Sequence, residues 1–163
     1  LFSSKPVQLS GLEFREGART VQSWTLPYVP GRRYGEKKPV YILTSSVTFS
    51  AAEVFAYDLQ NLGRAVLVGE TTRGEAHYIE QIRLDDHFFV WLSIGRAVSP
   101  VTGTNWEGTG VKPDIAVPAA EAKTRAHEEA LRRLQREPVA RSRDGRYDPA
   151  EPGMRVDGSE RGR

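Results

Sequence analysis

The fold is decided by residues 39–68, PVYILTSSVTFSAAEVFAYDLQNLGRAVLV. The run at residues 39–44 is short and almost continuously apolar, which is typical of a strand covered on both faces. Residues 51–62 have the apolar spacing of a helix that ends at Gly63, and residues 65–68 form a second buried strand. A strand, a helix and a strand in this order predict a right-handed crossover with a parallel sheet, so the predicted fold class is α/β.

Further elements flank this unit. The other predicted strands are residues 7–14, 20–26, 77–84, 88–93, 96–98 and 115–117. A turn at residues 16–19 joins the first two into a hairpin, and Gly95 is expected to separate two of the later strands. Residues 119–136 predict an amphipathic helix. The side chains assigned to its apolar face are Ala122, Ala126, Leu131 and Leu134. Those assigned to the apolar side of the first helix are Val54, Phe55, Leu59 and Leu62. Four aromatic residues are also assigned to the core: Tyr41, Phe49, Phe55 and Trp106.

Length and composition exclude several function classes. The chain has 163 residues, with 23 basic and 21 acidic side chains, so the charge balance gives no support for a nucleic-acid partner. No apolar run is long enough to cross a bilayer. There are no cysteines, which excludes disulfides and thiolate-metal sites. The three histidines are scattered, and no acidic cluster has a recognised metal spacing, so we predict no metal and no cofactor.

The composition changes after residue 136. Residues 137–163 contain balanced charges, glycines and prolines but almost no large apolar side chains. Such a segment cannot bury enough surface to order itself, and we interpret it as a disordered polar tail.

Ser50 stands at the junction between the first strand of the crossover and its helix. A serine at such a turn projects its hydroxyl away from the sheet, beside the free N–H groups of the helix start. It is therefore a candidate nucleophile, and the amide of Ala51 is placed to bind an oxyanion. Ser50 also forms a capping-box pattern with Glu53, and capping serines far outnumber nucleophiles. The local pattern alone leaves both interpretations open.

Three separated blocks carry a family resemblance: residues 48–53 (TFSAAE), 68–72 (VGETT) and 105–114 (NWEGTGVKPD). They resemble the C-terminal half of the tail-specific, or C-terminal processing, serine peptidases. The similarity is to the tricorn-like branch, which also contains the retinoid-binding modules of the interphotoreceptor matrix. It covers residues 1–135 and implies a crotonase/ClpP-like spiral of short strands and helices, present here as a partial domain. By this resemblance, residues 1–136 are the C-terminal part of a peptidase-like catalytic domain.

The resemblance also implies how Ser50 would be activated. The tail-specific branch has a lysine base twenty-five residues after the serine, where this chain has Glu75. A serine–lysine dyad is therefore not supported. The tricorn-like branch instead uses a serine, a histidine, a second serine and a glutamate, and Glu107 matches the glutamate. The implied role of Glu107 is to orient the second serine and the histidine, which belong to an N-terminal half missing from this chain.

The chain's own three histidines are alternative candidates for the base. His87 and His127 have the surroundings of solvated surface side chains. His77 is the one candidate near the site, although the resemblance does not assign it the role of base. We expect His77 to line the substrate cleft.

The predicted function is peptide-bond hydrolysis by an activated serine, through an acyl-enzyme that water then hydrolyses. The alternative is a non-catalytic module of the same fold that binds a retinoid or fatty acid. A third interpretation is that this fragment is inactive alone. The predicted partner is a peptide or protein substrate. Oligomerisation and compartment are left open, with an extracytoplasmic or secreted location favoured by the resemblance.

Overall fold

The computed structural model of the chain describes residues 5–31 and 34–136. In chain order, its elements are β1 (Gln8–Phe14), β2 (Thr20–Trp24), β3 (Tyr41–Thr44), α1 (Ala51–Asn61), β4 (Val66–Gly69), β5 (His77–Arg83), β6 (Phe89–Val98), β7 (Ile115–Ala116) and α2 (Ala119–Arg136). A 3-10 turn at Glu16–Ala18 joins β1 to β2. The predicted polar tail, residues 137–163, lies outside the described residues.

The predicted crossover unit forms a three-stranded parallel sheet in the order β3-β4-β7. Leu67 and Val68 of β4 are both fully buried, and successive strand side chains point to opposite faces. Leu67 packs with Ala56 of α1, whereas Val68 packs with Ala122 of α2. The two helices therefore cover opposite faces of β4, which confirms the predicted α/β class.

The outer strand β3 is less covered than predicted. Its Leu43 is 47% exposed, so the expectation of burial on both faces is wrong for this strand. β3 lies at the sheet edge, whereas β4 lies between two neighbours. β3 and β4 approach each other closely at Gly69, where an added Cβ would lie 2.0 Å from the Thr44 carbonyl oxygen. Gly69 has a φ of 138°, which also favours glycine.

The remaining strands form an antiparallel sheet in the order β2-β1-β6-β5. The predicted break at Gly95 is wrong, since β6 runs through it and pairs Gly95 with Phe14 on one side and Tyr78 on the other. Asp58 of α1 connects the two sheets by accepting hydrogen bonds from the amide and hydroxyl of Ser10 in β1, at 3.0 and 2.6 Å. Burial raises the pKa of Asp58, against the opposing effect of these hydrogen bonds.

Several apolar side chains predicted to be in the core are exposed. Trp106 is buried as predicted, but the following are between 37% and 54% exposed: Phe49, Phe55, Leu62, Leu131 and Leu134. For α2 the reason is length. Its 18 residues extend about 27 Å, whereas a four-residue strand extends about 13 Å. The last turns of α2 therefore continue past the sheet.

Within residues 5–31 and 34–136, no helix combines the length and the apolar character needed to span a bilayer.

Candidate active site

Ser50 has an unusual backbone conformation for a residue with a side chain. Its φ and ψ are 56° and −123°, and it is the only non-glycine residue with positive φ among the described residues. A side chain in this region costs about 1–3 kcal/mol, and such strain concentrates at functional sites. The residue is exposed at the junction of the β3–α1 loop with α1. A sharp, strained turn of this kind presents a side chain outward from the end of a sheet.

The neighbouring amide of Ala51 is available to a ligand. Among the described residues, this N–H donates no hydrogen bond, as is usual for the first residue of a helix. Ala51 is exposed, like Ser50. An oxygen anion formed beside Ser50 could accept from this donor, at the positive end of α1.

Glu53 holds the turn at Ser50 in place through hydrogen bonds. The predicted capping box is present, and Glu53 Oε2 accepts from the Ser50 amide at 2.9 Å. The carboxylate, which is fully buried, also accepts from the Thr72 hydroxyl and from the amides of Gly74 and Glu75, at 2.7 and 2.9 Å. One side chain thus connects the Ser50 turn to the loop at residues 72–75.

The ionisation of Glu53 reflects these contacts. Burial alone would raise its pKa, because a low-dielectric surrounding disfavours the charged form. The hydrogen bonds from Thr72, Glu75, Gly74 and Ser50 outweigh burial, and the pKa is lowered. Glu53 is therefore a buried anion stabilised by donors from two segments of the chain.

Glu70 holds the loop that precedes Ser50. Like Glu53, it acts as a clamp, by which we mean a carboxylate that accepts hydrogen bonds from two or more backbone amides. Its two carboxylate oxygens accept from the Ser46 amide at 3.1 Å and the Ala119 amide at 3.0 Å. These bonds lower the pKa of Glu70. The Arg73 amide also donates to the Thr48 carbonyl, at 2.9 Å. The β3–α1 loop is therefore attached to both the start of α2 and the loop after β4.

Glu107 forms a third clamp, at the start of β5. Its Oε2 accepts from the amides of Ala76 and His77 at 2.6 and 3.1 Å. Its Oε1 lies 3.6 Å from Nδ1 of His77. Trp106, 1% exposed, anchors the Glu107 loop through a ring contact with Tyr57.

The loop that carries Glu107 packs closely against the loop after β4. The Val111 amide donates to the Thr72 hydroxyl at 2.7 Å. A Cβ added at Gly110, whose φ is 70°, would lie 2.2 Å from the Thr72 carbonyl oxygen. Gly110 therefore permits the close approach of the two loops. Gly108 has a φ of 68° but faces open space, so only the turn requires a glycine there.

The structure places some of the predicted site residues on connected segments and others elsewhere on the surface. Ser50, Ala51, Glu107 and His77 lie on segments joined by the Glu53 and Glu107 hydrogen bonds. Glu75 lies in the same loop, with its carboxylate 2.6 Å from Nε of Arg73. His87 lies in the β5–β6 turn and His127 is exposed on α2, consistent with the surface positions predicted for both. Among the described residues, no group of three or more His, Cys, Asp or Glu side chains could hold a metal ion.

Sequence reasoning missed the wider role of Glu53, the clamp made by Glu70 and the contacts of Thr72. The local sequence pattern indicates only a helix cap at Glu53. One signal was available: a glutamate, two threonines and Gly74 follow β4 directly, a density of polar groups that a buried carboxylate can bind.

Comparisons with known proteins agree on one family. A family model described as Peptidase family S41 matches residues 10–117. A carboxy-terminal-processing protease of Bartonella bacilliformis is 30% identical over 82 residues, which are 50% of this chain and 19% of that protein.

Solved structures share the fold. A putative peptidase from Parabacteroides merdae superposes with a TM-score of 0.64 at 19% identity, over 80% of this chain and 44% of that one. A photosystem II D1 C-terminal processing protease superposes with a TM-score of 0.57 at 24% identity, over 72% of this chain and 29% of that one. The chain thus spans less than half of the length of each of these relatives.

Proposed function

Because the chain belongs to peptidase family S41, we propose that it forms part of a serine peptidase whose nucleophile is Ser50. The observation that carries this proposal is the strained, exposed backbone of Ser50 at φ 56° and ψ −123°. A helix cap alone needs no such conformation, since N-cap residues ordinarily adopt extended backbone angles. A nucleophile at a strand-to-helix turn does need it, because its hydroxyl must project towards a substrate.

The proposed reaction proceeds in two stages. Ser50 Oγ attacks the peptide carbonyl carbon while a base takes its proton, and the oxyanion accepts a hydrogen bond from the Ala51 amide. The tetrahedral intermediate then collapses, the amine leaves with the proton from the base, and an acyl-enzyme remains. Water attacks this ester with help from the same base, which releases the acid and restores the Ser50 hydroxyl.

Glu107 is proposed as the acid of a tricorn-type site. Its Oε2 is occupied by two backbone amides, so its position is fixed, while Oε1 faces His77 at 3.6 Å. A fixed carboxylate of this kind orients an imidazole and stabilises its protonated form. In this proposal, the histidine that serves as base and the second serine lie outside this chain.

A hydrophobic-ligand-binding module of the same fold is the competing proposal. It would need an apolar cavity. The cleft beside His77 is instead lined in part by charged side chains: Glu13 of β1, Arg15 directly after β1, and Arg96 of β6. This lining favours the peptidase.

The proposal is tested with a fluorophosphonate probe on the full-length protein that contains this chain. The expected result is covalent labelling, lost in Ser50→Ala. Ser46→Ala is the matched control, because Ser46 lies in the same exposed loop and its amide bond to Glu70 survives the substitution. Labelling that persists in Ser50→Ala, or disappears in Ser46→Ala alone, would remove Ser50 from the role of nucleophile.

A further inference from the structure

A small cleft of about 120 Å³ lies at the end of the parallel sheet opposite to Ser50. Ser50 follows the C-terminal end of β3, whereas the cleft is lined by residues 36–40, directly before β3, and by residues 63–66, which lead into β4. Arg133, in the last turn of α2, also lines it. Because β3 has four residues and extends about 13 Å, this cleft is separate from the candidate active site.

The lining of the cleft carries one negative and four positive side chains. The carboxylate is Glu36, and the cations are Lys37, Lys38, Arg64 and Arg133. Both lysines are exposed, and neither forms an ion pair with another described residue. The cleft is therefore positive, even with one of the arginine charges balanced by Glu36, and a positive concave surface concentrates anions.

Two of the cations are held by the same aromatic ring. Nζ of Lys38 lies 5.5 Å from the centroid of the Tyr34 ring, and Cζ of Arg64 lies 5.9 Å from it. Nη2 of Arg64 also donates to the Gly35 carbonyl at 2.8 Å. A ring and a carbonyl oxygen attract a cation without cancelling its charge. These contacts therefore position positive charge in the cleft and do not neutralise it.

Helix capping does not account for the cluster. Basic side chains near the end of a helix often bind its last carbonyl groups. In α1, however, the carbonyls of Asp58, Leu59 and Gln60 already accept hydrogen bonds from the backbone amides that follow the helix. Arg64, which comes directly after this end, donates to the loop before β3 instead. The basic side chains beside the end of α1 are therefore not needed to satisfy its backbone.

The size and charge of the cleft favour a small anion. Sites for drug-sized ligands have volumes of about 300–1,000 Å³, so a cleft of about 120 Å³ fits only a small group. A phosphate monoester carries a charge of about −1.5 to −2 at pH 7 and several strong acceptor oxygens. Such a group matches two ammonium groups, whereas a carboxylate, with a single charge, would balance only one of the two lysines.

We propose that this cleft binds a phosphate group, with Lys37 and Lys38 as its ligands and with Arg64 and Arg133 adding positive charge to the lining. The phosphate belongs either to a soluble compound or to a lipid headgroup, because the two sources present the same phosphoryl oxygens. The proposal is independent of the peptidase function, since the cleft and Ser50 lie at opposite ends of β3.

Two binding measurements on the full-length protein that contains this chain test the proposal. Isothermal titration calorimetry with inorganic phosphate, at constant ionic strength, gives the dissociation constant. Co-sedimentation with phosphatidylcholine vesicles, with and without phosphatidic acid, tests the headgroup. Binding of inorganic phosphate without a preference for phosphatidic acid identifies a soluble compound, and binding of both identifies a headgroup.

Substitutions in the same protein assign the binding to the cleft. Lys37→Gln and Lys38→Gln should each weaken the binding of inorganic phosphate about 10-fold, as expected when one charged hydrogen bond is lost. Lys38→Arg retains the charge and should retain the binding. Lys123→Gln is the matched control, because Lys123 is also exposed but lies about 15 Å along α2 from Arg133. Its affinity for phosphate should equal that of the unsubstituted protein.

Two results would overturn the phosphate site. The first is no binding of inorganic phosphate, or binding that is equally strong in both lysine-to-glutamine variants, even where the vesicles bind. The second is an equal loss of affinity in Lys123→Gln, which would show that the overall charge of the protein, rather than the cleft, determines binding.

Discussion

Strand β5 is held at its first residue by hydrogen bonds to Glu107, whereas its far end carries apolar side chains into solvent. Ala76, just before the strand, is 5% exposed and its amide is bound by a carboxylate. Leu84 and Phe88, in the turn after the strand, are each 65% exposed. The site end is thus held both by the Glu107 carboxylate and by burial of Ala76 in the core, and the far end of the strand has neither.

The difference teaches where single substitutions will matter. A buried carboxylate that holds several amides leaves all of them unsatisfied when it is removed, and each costs about 1–3 kcal/mol. An exposed apolar side chain has little packing to lose. Glu53 is such a buried carboxylate, whereas Glu107 is exposed. We therefore expect the loss of stability to decrease from Glu53 through Glu107 to the tip of the hairpin, and the effect of Glu107 to fall mainly on turnover.

The largest effect is expected on turnover. Glu107→Gln retains the shape and one acceptor oxygen for the Ala76 amide, but it removes the charge that holds the proposed base. The expected fall in kcat is on the order of 10²–10⁴-fold, with KM almost unchanged, because the interaction matters mainly in the transition state. Glu75→Gln is the matched control and should be mild, since the Glu75 carboxylate faces the exposed Arg73. Kinetics of the full-length protein on one peptide measure both, and the reverse ranking would contradict the assignment of Glu107.

The next effect is on stability. Glu53→Ala removes the acceptor of three amides and one hydroxyl in a fully buried position, and we expect a loss of about 3 kcal/mol or more in the free energy of unfolding. Urea denaturation measures it. Glu80→Ala on the exposed part of β5 is the control, and an equal loss there would show that Glu53 has no special role.

The same clamp predicts the dependence of stability on pH. The pKa of Glu53 is lowered in the folded state, so its contribution is present above the ordinary glutamate pKa of about 4.3 and is lost as the pH falls through the lower folded value. Asp58 acts in the opposite sense. Its raised pKa means that stability decreases as the pH rises from about 3.9 towards the folded value. The free energy of unfolding is measured as a function of pH. In Glu53→Ala it should decrease less steeply towards low pH than in the unsubstituted protein. In Asp58→Asn the decrease caused by ionisation of Asp58 as the pH rises should be absent.

The sequence allowed the elements and part of the site to be predicted, for physical reasons that differ between them. Periodicity gave α2 its observed bounds, because its apolar and charged positions repeat over five turns. The Ser50–Glu53 pair was visible because a capping box is local in sequence. The bonds from Glu53 to Thr72 and Glu75 were not, since they require the loop after β4 to fold back over α1. The assignment of Phe49 to the core is wrong because, in a loop without periodic structure, hydrophobicity does not show whether a side chain points towards the core or towards solvent. The strain at Ser50 was also invisible, since serine itself does not favour positive φ.

The strain at Ser50 predicts a smaller effect on stability. Ser50→Gly and Ser50→Ala both remove the hydroxyl, but only glycine adopts a φ of 56° without steric cost. After allowing for the greater freedom of glycine in the unfolded chain, we expect Ser50→Gly to be about 1 kcal/mol more stable than Ser50→Ala. Urea denaturation of both variants measures the difference. A more stable alanine variant would show that the turn is not strained, and would remove the main support for a nucleophile at this position.

The smallest effect on stability is expected at the tip of the hairpin, where a Leu→Ala substitution can be compared with the same substitution in the core. Leu84→Ala removes a side chain that is 65% exposed, whereas Leu67→Ala removes one that is fully buried between β4 and α1. We expect the first to cost no more than about 0.5 kcal/mol and the second about 2–5 kcal/mol, since only the second leaves a cavity. Denaturation of the 163-residue chain measures both. Equal losses would mean that the hairpin tip is packed as tightly as the core, and the contrast between the two ends of β5 would then have to be abandoned.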